Sequence, residues 1–176
     1  LGRWRSRFEL GRTQRYEAWL QDQFDQILVT SKIDRQQLAQ LRPEGESNIA
    51  VLPNGVDLDY FRPDSQRPRH ADTVVVSGKM SYHANVSMVL HLVHNIMPHV
   101  WKQRPNVKLQ VVGKDPVREI QALDANPQIE VTGTVPELRP YLQQATVAVT
   151  PIVYGAGVQN KVLEAMACGA PVVSAQ

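Results

Sequence analysis

Cysteine is almost missing from this chain. Cys168 is the single one in 176 residues, which excludes an internal disulfide and suits a reducing compartment. It sits at the end of a predicted helix just before Gly169, where it reads as a small core residue. Long apolar runs are missing too: none approaches the ~18 residues needed to span a bilayer, and no signal peptide is visible. A cytoplasmic location is therefore expected. There is no excess of one charge, with Lys+Arg 19 against Asp+Glu 17 and a formal net charge of +2. That balance lacks the polyelectrolyte signature of a nucleic-acid partner. Internal repeats and low-complexity tracts are absent. The chain opens on Leu1 and stops at Gln176, right after an apolar strand, so both ends read as cuts in a longer protein.

What is present is a regular alternation of apolar strands and amphipathic helices. Residues 12–24 have helical periodicity, with Tyr16, Leu20 and Phe24 on one stripe. Residues 25–30 read as a buried strand. Ser31 reads as the N-cap of a helix through Leu41, with Asp34 as a weak capping-box acid. A short strand at 49–52 ends on the turn Pro53-Asn54-Gly55. Between Asp57 and Asp72 the composition turns polar and proline-rich, and reads as a linker. Strands are then predicted at 73–77, 107–112, 129–132, 147–150 and 171–174, and helices at 85–104, 116–124, 136–144 and 159–168. Near-continuous β-branched strands alternating with helices imply right-handed βαβ units and a parallel sheet buried on both faces. The expected fold class is α/β, a Rossmann-like doubly wound parallel sheet.

The stretch from Pro151 to Ser174 carries the most chemistry. An apolar strand runs into Gly155 and Gly157, whose backbone amides can approach a ligand without Cβ atoms in the way. The next helix starts with free N–H groups and the positive end of its dipole, which together form a phosphate cradle. Gly157, Lys161 and Glu164 are spaced i, i+4, i+7 along one helix face. A cation near a diphosphate, and a carboxylate one turn further on, suit a nucleotide whose ribose needs a hydrogen-bond acceptor. Without a ligand, Lys161 and Glu164 would be an i,i+3 surface pair worth about a few tenths of a kcal/mol.

Residues 163–173, LEAMACGAPVV, resemble the donor-binding signature of GT-B glycosyltransferases of family 4, written E-x7-E followed by LEAMA-x-G-x-PVV. The resemblance extends to 25–31 (DQILVTS) and 51–57 (VLPNGVD), and covers about residues 15–175. Together with Ser81-Tyr82-His83-Ala84-Asn85-Val86, it is similar to sugar transferases of bacterial exopolysaccharide clusters. It implies two facing Rossmann-like domains with the active site in the cleft. Residues 1–56 would then be the end of the N-terminal acceptor domain, 57–72 the interdomain linker, and 73–176 an incomplete nucleotide-sugar-binding domain. The implied activity is retaining transfer of a sugar from a nucleoside diphosphate donor to an acceptor hydroxyl, in polysaccharide or glycolipid synthesis. The implied partners are a nucleotide sugar and a glycan or lipid-linked acceptor. No cofactor and no metal are expected, and the isolated piece is expected to transfer little or nothing.

The resemblance also assigns residues. Glu164 matches the glutamate that binds the nucleotide ribose, whereas the first glutamate of the signature falls on Ala156 and is absent, which bears on the donor sugar. Lys79 stands where the family has an arginine gripping the donor diphosphate. The lysine that usually follows is missing, and Lys161 is the candidate to supply its charge. Lys79 and Lys161 are thus the candidate catalytic residues. Gly78, Gly133, Val135, Gly155, Gly157, Val158, Gln159 and Glu164 are the candidate donor-binding residues, with 133–135 resembling the loop that reads the base through main-chain groups.

Other residues take plainer readings. Asn85 reads as a helix N-cap, and His83 has nothing to pair it with a nucleophile. His91, His94 and His99 share a helix, with Val89, Leu90, Val93, Ile96 and Met97 as its buried stripe. No acidic or cysteine ligand accompanies them, so no metal site is expected. The chain also reads as lacking a D-x-D of the kind that holds a divalent cation in the other main glycosyltransferase fold. Arg3, Arg5, Arg7, Arg12 and Arg15, interleaved with Trp4, Phe8 and Trp19, read as solvated arginines on a helix, with peripheral contact to anionic lipid as the alternative. The alternatives in function are a nucleotide-sugar epimerase or phosphorylase on the same fold, or a non-catalytic nucleotide-binding module. A dinucleotide-binding dehydrogenase would need G-x-G-x-x-G after the strand at 73–77, where the sequence is Gly78-Lys79-Met80-Ser81.

Overall fold

The computed structural model describes residues 2–42, 48–154 and 159–175, with side chains described from Glu9 onward. It divides into two compact units, Leu1–Asn54 and Gly55–Gln176.

In the first unit, α1 (Gly2–Leu20) is followed by β1 (Ile27–Val29), α2 (Lys32–Leu41) and β2 (Ile49–Val51). α2 starts where the Ser31 hydroxyl accepts from the Asp34 N–H at 3.0 Å, and that hydroxyl donates to the Asp34 carboxylate at 2.7 Å. The cap satisfies an N–H that the helix itself leaves without a partner. β1 and β2 pair in parallel, Ile27 to Ile49 through Val29 to Val51. Two expectations are corrected here. β1 is not a buried strand, because Leu28 is 59% exposed, and α1 ends at Leu20, so Phe24 shares no helical stripe with Tyr16. A two-stranded parallel sheet has too few neighbours within its own unit to cover both faces.

The second unit holds β3 (Thr73–Ser77), α3 (His83–His91), α4 (Met97–Gln103), β4 (Lys108–Val112), α5 (Arg118–Gln121), β5 (Ile129–Gly133), α6 (Arg139–Gln144), β6 (Val147–Thr150), α7 (Asn160–Ala167) and β7 (Val172–Ser174). The strands form one parallel sheet in the order β5-β4-β3-β6-β7. All five residues of β3 are buried, as a central strand covered on both faces requires. One face packs Met88, Val89, Leu92, Met97 and Ile120 against Val74, Val76, Leu109 and Val111. The other packs Leu142, Ala145, Ala165 and Cys168 against Val75, Val112 and Ala148. The doubly wound α/β expectation therefore holds.

The helix expected at 85–104 is interrupted. Pro98 has no N–H for the His94 carbonyl, and its ring crowds that carbonyl. The chain widens into a π-turn over Leu92–Ile96, with the Met97 N–H on Leu92 O, and resumes as α4. The buried stripe accordingly includes Met88 and Leu92, while Leu90 and Ile96 are only partly buried. α7 ends in a full Schellman turn: Gly169, at φ +75°, donates to Met166 O, and Ala170 donates to Ala165 O.

The polar segment after Asp57 packs on this second unit. Phe61 joins the core face that holds Leu142 and Ala165. Gln143 Nε2 donates to Arg62 O at 2.7 Å, and the His70 N–H donates to Gln144 O at 2.7 Å. The Arg69 guanidinium donates to Ala145 O at 2.8 Å and to Gly169 O. The Arg139 guanidinium lies 4.1 Å over the Tyr60 ring.

Candidate functional site

In an open parallel sheet a ligand crevice forms outside the carboxyl ends of the strands, where the strand order reverses. Here the reversal falls between β3 and β6, the first and fourth strands of this sheet. The residues at issue are those leaving β3 (Gly78 onward), those leaving β6 (151–154), and the start of α7.

The turn after β3 is held by close backbone packing. The Gly78 N–H donates to Val112 O at 3.1 Å, and the Met80 N–H donates to Lys114 O at 2.8 Å. Gly113 lies so close beneath that a Cβ there would be 1.7 Å from Gly78 O. Gly113 also has φ +154°, a region that side-chain-bearing residues avoid, so both space and backbone require glycine. Lys79 is exposed beyond this turn, and its carbonyl accepts from the Tyr82 N–H at 3.1 Å.

Asn85 is not an N-cap, which corrects the expectation. α3 starts at His83 with Tyr82 in the cap position, and Asn85 is its third residue and buried. Its Nδ2 donates to Lys79 O at 2.9 Å, while its Oδ1 accepts from Lys161 Nζ at 2.6 Å. Lys161, on the first turn of α7, is thereby tied to the end of β3. Burial pushes the Lys161 ammonium below its ordinary range, with the Glu164 carboxylate pulling the other way. Burial pushes the Glu164 carboxyl above its ordinary range, against the pull of Lys161. Both side chains are half-buried, so they are not the solvated surface pair that spacing alone would allow.

On the other side of the crevice, Tyr154 OH lies 3.1 Å from His83 Nδ1 and 3.1 Å from Ser87 Oγ. The Tyr154 and His83 rings stack at 5.6 Å. These contacts tie the chain leaving β6 to the first turns of α3, and residue periodicity gave no sign of them. Gly133, at φ +64°, ends β5 and Val135 follows it along the same edge of the sheet, two strands from β3. Gly155, Gly157 and Val158 lie outside the described residues, as does Ala156. Gln159 is the N-cap residue of α7.

Among the described residues no group of three or more His, Cys, Asp or Glu could hold a metal ion. The letters D-x-D do occur, at Asp57-Leu58-Asp59, which corrects the sequence reading. Asp57 Oδ1 accepts from the Asp59 and Tyr60 N–H groups, each at 3.0 Å, and so caps a turn. A concavity of about 420 Å³ lined by Arg62, Asp64, Arg67, Glu137 and Arg139 does not include Gly78, Lys161 or Glu164. Two of its three arginines are already matched, Arg67 to Asp64 and Arg139 to Glu137.

The sheet order and the position of the crevice define a Rossmann-like α/β domain of the GT-B type. Residues 71–176 match the model of the family described as glycosyl transferases group 1, and the chain belongs to that family. It is 26% identical over 123 residues to a phosphatidylinositol N-acetylglucosaminyltransferase subunit of Arabidopsis thaliana, covering 65% of this chain and 26% of that protein. The structure is similar to the pneumococcal O-GlcNAc transferase GtfA in complex with UDP and GlcNAc. The TM-score is 0.70 and the identity 18%, over 90% of this chain and 31% of that one. It is also similar to Anabaena HepE in complex with UDP and glucose, with TM-score 0.65 and 15% identity over 92% of this chain and 47% of that one. The chain thus spans between about a quarter and a half of the length of these proteins.

Proposed function

We propose that this chain is the donor-binding portion of a retaining glycosyltransferase that uses a nucleoside diphosphate sugar. The observation that carries the reading is that Lys161, with Glu164 beside it on α7, meets Gly78 and Asn85 at the switch point of a family-matched sheet. In this reading Lys161 and Lys79 oppose the charge that builds on the departing diphosphate, and the amides around Gly157–Gln159 add donors. Such pre-placed charge, in a site with little water, favours departure of the leaving group. These fixed protein charges would take the part that a divalent cation plays elsewhere. Glu164 would accept from the ribose hydroxyls, and the turn at 133–135 would meet the base.

The uridine nucleotides named with GtfA and HepE favour a UDP-linked donor, and the name of the Arabidopsis relative favours an acceptor carrying a lipid. Residues 1–56 would belong to the acceptor side, 57–72 to the interdomain linker and 73–176 to the donor side. Peripheral contact with a membrane surface from the cytoplasm suits the same reading. Among the described residues no helix is long and apolar enough to cross a membrane.

Calorimetry on the full-length protein with UDP-sugars, GDP-sugars and NAD tests the reading. Binding of one nucleotide-sugar class is expected, together with transfer in which the anomeric configuration, followed by NMR, is kept. Lys161→Glu should abolish nucleoside diphosphate binding while sparing the nucleoside, because only the phosphate contact changes sign. Preferential binding of NAD, or diphosphate affinity unchanged in Lys161→Glu, would overturn it.

A further inference from the structure

Three elements meet at one point of the crevice: the turn after β3, the second half-turn of α3 and the first turn of α7. The geometry points to Asn85 as a positioning residue whose carboxamide holds the Lys161 ammonium toward a bound diphosphate. The inference rests on the diphosphate-pocket reading above and adds to it how the missing lysine is replaced.

The orientation of the amide is fixed chemically. An ammonium can only donate, so the Asn85 atom 2.6 Å from Lys161 Nζ must be the oxygen. The Asn85 NH₂ group then donates to Lys79 O at 2.9 Å, which locks the flip. Asn85 is 7% exposed, so water cannot stand in for either contact. Room for the clasp comes from Gly78, where a Cβ would lie 2.8 Å from Asn85 Nδ2 and 3.4 Å from Lys161 Nζ. A neutral acceptor also matters. It occupies one of the three ammonium N–H groups, fixes its direction, and leaves two donors and the whole positive charge for an anion. A carboxylate in the same place would hold the lysine equally well and cancel its charge.

The test measures affinities of UDP, GDP, uridine and guanosine for the full-length protein by calorimetry. The variants are Asn85→Asp, Asn85→Ala, Lys161→Gln and the Asn85→Ala/Lys161→Gln double. Asn85→Asp keeps the shape and the hydrogen bond accepted from Lys161, though not the one donated to Lys79 O, and should weaken the bound diphosphate by roughly 10–100-fold while the nucleoside changes by less than about twofold. Asn85→Ala should weaken the diphosphate alone, and should have no further effect once Lys161 is Gln, since the two side chains act as one unit. Diphosphate affinity unchanged in both Asn85 variants would overturn the proposal, as would a parallel loss of nucleoside and diphosphate. If Asn85→Asp does not fold, Asn85→Ala and the double variant decide alone. Wild-type protein that binds neither UDP nor GDP would instead overturn the diphosphate pocket itself, and the role of Asn85 with it.

Discussion

Glu164 shows how a proposed site residue can carry a stability penalty. Its carboxyl is half-buried on α7, and burial outweighs the pull of Lys161, so the folded state holds its proton more tightly than the unfolded chain does. The sign follows from linkage. A raised carboxyl contributes stability that is fully present below its ordinary value of 4.5 and lost as the pH rises through the raised value. The stability of wild type relative to Glu164→Gln should therefore increase as the pH is lowered from 7 toward 4. Urea unfolding of both proteins at several pH values measures it, and a difference that stays flat or falls would refute the assignment. At neutral pH the pair is thus kept in the fold at a net penalty, which fits the proposed role in binding rather than packing. Legibility differed sharply between residues. The Ser31–Asp34 cap could be read because both partners lie within one turn. Asn85 could not, because its decisive partner is 76 residues away and exists only once α3 and α7 flank the same strand.

At the level of elements, strand positions in the second unit were legible to within a residue, because β-branched runs such as Thr73–Ser77 suit nothing but a doubly covered strand. Helix interiors were less so. The π-turn at Leu92–Ile96 follows from Pro98, which a periodicity argument passes over when the apolar stripe continues through it. The composition of 57–72 was also an ambiguous guide, since proline and arginine suit a free linker as well as a strap pinned to the domain. The structure supplies the pins. Arg69 donates to Ala145 O, just past the end of α6, and to Gly169 O, in the turn after α7. These are carbonyls that helix ends leave open. Arg69→Ala should lower the stability of the second unit by about 1–3 kcal/mol, because hydrogen bonds from a charged donor are lost and open carbonyls remain. Chemical denaturation monitored by circular dichroism gives the value. A change below about 0.5 kcal/mol would show that the strap is held by its apolar contacts alone, since surface substitutions of no structural consequence fall in that range.

On the scale of the whole molecule the two units differ in what holds each of them together. Among the described residues of Leu1–Asn54 the buried side chains are Gln21 and Ile49, and α2 buries none. Polar contacts take over much of the cohesion there: Gln21 donates to Leu38 O, Asn48 donates to Gln21 O, and Arg35 donates to Ile49 O. Part-buried hydrogen bonds of this kind contribute only about 0.5–1.5 kcal/mol each, because folding exchanges them for bonds to water. The second unit instead buries two apolar clusters against a five-stranded sheet. Local opening free energies follow buried apolar contact, so the units of this 176-residue chain should not open together. Amides of α2, β1 and β2 should exchange with solvent well before those of β3 and β4. Brief proteolysis should trim the first unit and leave a resistant product beginning near Gly55. Adding UDP or GDP should raise protection around β3 and α7 and leave the first unit unchanged, because a ligand stabilises the elements it binds by mass action. Hydrogen exchange read by mass spectrometry follows all three. Uniform protection across both units would show that the first unit draws cohesion from more than its own contacts. Nucleotide-induced protection confined to α1 and α2 would place the donor site in the wrong unit.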